Sequence, residues 1–148
     1  MKPQSYKDYI PKGARVLHLV VTQHWFDEIA AGRKLEDFRV IKDCWFTRMM
    51  RKNESSTYKK EVIIASLRRD CTTTSLPIEG FELLGIEYRE FDYVVLSVGY
   101  KTVRPQIISK WGGTRITGAY EQTDLGVGRF FAVDVSDVLH VLNYGGER

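Results

Sequence analysis

Cysteine is scarce in this chain of 148 residues, which holds only Cys44 and Cys71, far apart and without a second cysteine or histidine at zinc-site spacing. A disulfide framework and a structural zinc are therefore not expected; free thiols are. The three histidines, His18, His24 and His140, show no metal-ligand spacing and no partnered serine or cysteine nucleophile, which argues against a hydrolytic triad. No apolar run approaches the ~18 residues of a membrane span. The start Met1-Lys2-Pro3-Gln4-Ser5 lacks an apolar signal-peptide core, so a cytoplasmic protein with no membrane partner is expected. Gly126-Val127-Gly128 lacks the strand, third glycine and helix of a dinucleotide fingerprint. No cofactor and no metal are expected, and no internal repeat is visible.

What is present is the composition of an ordinary globular domain, 43% hydrophobic and 28% charged. A single domain over residues 1–148 is expected, large enough to bury roughly 68–70% of its unfolded surface. Strand patterns run over 14–22, 36–41, 61–68, 92–99, 103–109 and 129–137, clearest around Val94 and Phe131. Helical spacing covers 23–31 and 42–52, the second pairing Trp45 with Met49 and Phe46 with Met50. Residues 53–60 and 71–77 read as surface loops. The glycine-rich stretch 112–128 reads as a long excursion in which 114–120 can pair locally.

The densest chemistry lies in Gly32-Arg33-Lys34-Leu35-Glu36-Asp37-Phe38-Arg39. Thr22 can cap the helix before it, and Gly32 suits the left-handed position just past the helix end. In the strand that follows, Asp37 and Arg39 share one face and Phe38 and Val40 the other. Lys34 sits in the turn between. Around this segment charge is uneven: residues 33–60 carry nine Lys or Arg against four acids, a surplus of +5 that leaves the rest of the chain at −2. Such a patch favours phosphate-bearing partners in a salt-dependent way.

Aromatic and basic residues are interleaved nearby. Trp45 and Arg48 stand three apart on one helix, able to offer a stacking ring and a guanidinium to a nucleotide. Tyr100, Lys101 and Arg104 follow the Val94 strand and can do the same at its rim. Trp111, before Gly112-Gly113, is a further candidate platform.

The order Gly32, Lys34, Asp37, Arg39 resembles the GxKxxExR signature of the ASCH domain, a branch of the PUA-like superfamily, with Asp37 where the family usually has glutamate. Asp43–Met49 resembles the family's tryptophan and arginine segment, Phe91–Tyr100 its strand ending in Gly-Tyr, and Arg129–Val138 its closing strand. The similarity spans most of 14–140 and is poorer over 53–90. It implies an α+β fold, a PUA-like, mostly β barrel with peripheral helices. It also implies binding of RNA, another nucleic acid or a nucleotide-like ligand, with Gly32 as the structural glycine and Arg39 as a binding residue, which Trp45, Arg48, Tyr100, Lys101 and Arg104 join on their own chemistry. Lys34 and Asp37 are the residues expected to polarise or deprotonate the ligand.

The alternative is a small hydrolase. Some ASCH proteins deacetylate 4-acetylcytidine with the motif lysine, a threonine three residues later and a later glutamate, and others are connected with RNA cleavage. Here the residue three after Lys34 is Asp37, not threonine, and Glu90 and Asp92 are the candidates for the later acid.

Overall fold

Four consecutive residues, Val94 to Ser97, are buried, the pattern of a strand covered on both faces rather than one with a wet side. They lie on an inner strand of a four-stranded sheet, in a chain that is α+β and made mostly of strands. The computed structural model describes residues 4–54, 56–68, 81 and 84–144. In chain order the elements are β1 (Val16–Val21), α1 (Gln23–Ala30), β2 (Glu36–Arg39), α2 (Asp43–Met49), β3 (Met50–Lys52), α3 (Lys60–Arg68), β4 (Ile86–Tyr88), β5 (Tyr93–Val98), β6 (Gln106–Lys110), β7 (Thr114–Ile116), β8 (Gln122–Thr123), β9 (Gly126–Val127), β10 (Phe131–Asp134) and β11 (Val138–Leu142). Among the described residues no sheet closes into a barrel.

The described residues group into two compact units. The first draws on Met1–Glu36, Glu90–Gly113 and Asp134–Arg148, the second on Asp37–Arg89 and Thr114–Val133. The first is built on a four-stranded sheet in the order β1-β5-β6-β11. β1 runs parallel to β5, Val16 opposite Tyr93 through Val21 opposite Val98, and a parallel pair cannot be joined by a tight turn. The connection here is the long stretch that carries much of the second unit. β5 then pairs antiparallel with β6, and β6 with β11. β1 alternates, burying Leu17, Leu19 and Val21, as expected for a strand with one core face. α1 buries Phe26 and Ile29, and the Thr22 hydroxyl accepts from the Trp25 N–H at 3.4 Å, so this helix begins where its cap predicts.

In the second unit a three-stranded sheet runs β2-β10-β7, with β3 paired to β4 and β8 to β9. Four expectations are corrected here. Residues 61–68, expected as a strand, belong to α3, because only Ile63 and Leu67, one helical turn apart, reach the core. The helix expected over 42–52 stops at Met49. Met50–Lys52 turn into β3 and pair with Ile86–Tyr88, Met50 opposite Tyr88. The strand expected over 129–137 is likewise interrupted: the Asp134 carboxylate accepts from the Ser136 N–H (2.9 Å) and hydroxyl (2.6 Å), and β11 starts afresh beyond that turn. Thr114–Ile116 pair with Phe131–Val133 rather than locally. The expected loop 71–77 and Cys71 lie outside the described residues.

Candidate functional site

The motif begins at a helix end. Gly32 has φ +77°; its N–H donates to the Ile29 carbonyl (3.1 Å) and the Arg33 N–H to the Glu28 carbonyl (3.0 Å), the paired bonds of a Schellman ending. The Lys34 N–H also donates to the Glu28 carbonyl, at 3.1 Å. Three amide groups thus fix where the lysine leaves the helix. Its ammonium stands 4.4 Å from the centre of the Trp25 ring, close enough for attraction to the ring's negative face. Sequence spacing places Trp25 on the helix and gives no hint of this partner, since a turn rather than a helix joins the two residues.

In the second unit, β2 presents Asp37 and Arg39 on one face, as alternation requires. Arg39 Nε donates to Asp37 Oδ2 at 2.6 Å and Nη2 to Oδ1 at 3.2 Å, a two-pronged charge-assisted pair. The Asp37 side chain is 6% exposed and that of Arg39 17%. The Arg39 guanidinium carbon lies 4.7 Å from the centre of the Trp45 ring, and the Arg48 guanidinium carbon lies at the same distance. One half-buried indole on α2 therefore receives two cations, one held from behind by a buried carboxylate and the other on an exposed residue. Four sequence-predicted residues are brought together: Asp37, Arg39, Trp45 and Arg48.

Lys34 belongs to the first unit, as do Tyr100, Lys101 and Arg104. Gly99 (φ +69°) turns the chain after β5 and leaves Tyr100 83% exposed, with Lys101 exposed beside it. Arg104 is half-buried, its Nη1 reaching the Gly99 carbonyl at 3.5 Å, so it braces this turn. Trp111, expected as a candidate platform, is half-buried and packs edge-on against Phe91 at 5.9 Å.

The basic surplus is partly neutralised by acids beyond residues 33–60. Arg33 pairs with Glu28 and Arg51 with Glu87, each at 2.7 Å. Within the segment, Lys60 bonds to Asp43 and holds its carboxyl below the usual carboxylate range. Asp92, a candidate acid, accepts from the Arg15 N–H at 2.8 Å and from its guanidinium at 3.1 Å. Those bonds keep it below the ordinary range and occupy it as an anchor between Arg15 and β5. Among the described residues no three His, Cys, Asp or Glu are grouped to hold a metal, and no helix is long and apolar enough to cross a membrane.

No family model, curated protein or solved structure matches this chain.

Proposed function

We propose that this protein is an ASCH-like, PUA-related domain that binds RNA or a nucleotide-like ligand through its Gly32–Lys34–Asp37–Arg39 motif and the adjoining helix α2. In that reading the sheets correspond to strands of a PUA-like barrel. The observation that carries the proposal is the group on Trp45: a half-buried indole with two guanidiniums at 4.7 Å, one of them fixed by Asp37. An indole with two guanidiniums over it suits a base and its phosphate, since a base can stack on the exposed Arg48 plane or take its place on the ring while the cations meet the backbone. The Asp37–Arg39 pair supports binding over hydrolysis. That carboxylate already accepts two bonds from a guanidinium and is engaged as its partner.

The test is titration of a labelled single-stranded RNA with wild type, Arg48→Ala and Lys34→Ala at low and raised salt. Weaker binding by both variants and a salt-dependent wild type are expected. Equal, salt-independent affinities would overturn the proposal. Incubation with 4-acetylcytidine and with end-labelled RNA tests the hydrolytic alternative, and turnover that Lys34→Ala abolishes would establish it.

A further inference from the structure

A second surface in the first unit has the same chemistry without any part of the motif. The segment before β1 forms a 3-10 turn at Tyr6–Asp8, and a second turn follows in which the Ala14 N–H donates to the Pro11 carbonyl at 3.1 Å and Gly13 takes φ +88°. Between the two turns and β1 lies an open groove of about 670 Å³, within the size of small-ligand sites. Ile10 and Val16 contribute apolar lining, and Lys7 and Lys12, both exposed, contribute ammonium groups. Tyr6 and His18 meet edge to face at 5.1 Å in its wall. Among the described residues that line it, none is acidic.

The groove does not end at the Pro11–Ala14 turn. The same four residues also line a neighbouring groove of about 630 Å³, whose other members include Lys110, Phe91 and Trp111. Its one carboxylate, Asp92, is bonded to Arg15. A path around the turn therefore carries three lysines, two ring pairs and one neutralised acid. Phosphate alone needs only the lysines. Rings and lysines lining two grooves that share one turn suit a nucleotide or a single strand, with bases against the rings and phosphates at the cations.

We propose that this path, centred on Tyr6, Lys12 and His18, is a second nucleotide-binding surface that takes a base and its phosphate. It is independent of the motif and stands whether or not Trp45 and Arg48 bind.

The experiment uses the full chain labelled for NMR, with AMP and with a single-stranded oligouridylate as probes. Shifts centred on Tyr6, Lys12 and His18 are expected. If they arise with AMP alone, the groove takes a free nucleotide; if only with the oligomer, it takes a strand; either supports the proposal. No shift there with either probe overturns it. In Lys7→Gln/Lys12→Gln, both at exposed positions, the slope of log affinity for the oligomer against log salt should flatten by about 1.4, at roughly 0.7 per lost phosphate contact. An unchanged slope overturns the proposal. In Trp45→Ala the Tyr6 and His18 shifts should persist, so loss of motif binding and loss of this surface are told apart.

Discussion

Asp37 and Arg39, two residues apart on β2, are joined by bonds of 2.6 and 3.2 Å through side chains that are 6% and 17% exposed. Both are largely shielded from water, so the pair offsets part of the cost of keeping each charge there.

Breaking that pair from the acid side is expected to be costly. Asp37→Asn removes the charge but leaves the Arg39 guanidinium shielded, a loss of about 3 kcal/mol in folding stability. Asp37→Glu keeps the charge and should recover part of it. Urea unfolding of the three proteins measures this. A stability for Asp37→Asn within experimental error of wild type would show that Arg39 does not need its partner.

Two glycines with similar backbone angles should respond differently to alanine. At Gly32 (φ +77°) a β-carbon would meet nothing within 4 Å, so Gly32→Ala meets only left-handed strain of about 1 kcal/mol. At Gly85 (φ +65°) the added carbon would lie 2.5 Å from the Ser56 α-carbon. Gly85→Ala must therefore move backbone as well, and its melting temperature should fall further than that of Gly32→Ala.

Glu121 gives a pH signature. Bonds from the Arg115 guanidinium (2.6 and 3.0 Å) come first, followed by the Gly118 N–H (3.3 Å), and they hold its carboxyl below the usual range. A lowered folded value means that this stabilisation is fully present above the unfolded value of about 4.3 and is lost as pH falls through the folded one. Arg115→Gln should accordingly be less stable than wild type at pH 7, with the gap closing below pH ~4. Chemical unfolding at a series of pH values reads this out, and a gap that persists at low pH would assign the loss to packing.

Trp45 separates stacking from charge. Trp45→Ala should weaken RNA binding by about 1–3 kcal/mol, the usual range for a lost base stack, whereas Trp45→Phe should keep most of the affinity. Arg48→Ala should leave the melting temperature nearly unchanged, since Arg48 is exposed, yet lower the salt slope by about 0.7. If Trp45→Ala and wild type bind equally, the indole serves only its two arginines.

Local signals are legible where one residue's chemistry decides the backbone. Thr22 and Gly32 mark the two ends of α1, because a side-chain acceptor and the absence of a β-carbon act within a turn. The face shared by Asp37 and Arg39 follows from strand alternation in the same way. The run Val62-Ile63-Ile64 misleads, since β-branched residues favour strands on average, while here Ile63 and Leu67 are buried at helical spacing and Val62 stays 48% exposed.

The chain by itself determined which groups lie on a common face or at a common turn: the capped helix, the left-handed glycine, and the acid and arginine two residues apart. Those outcomes need only bond geometry and near neighbours. The tertiary structure decided what each group meets, setting Lys34 over Trp25, bringing Arg39 and Arg48 to one indole, ending α2 where β4 offers a ladder, and giving Arg33 and Arg51 acids from outside their own segment. Such meetings join residues that no single helix or strand period brings together, from Arg33 and Glu28 across a helix end to Arg51 and Glu87 in paired strands, and the energy of the assembled contacts overrides the preference of any one residue.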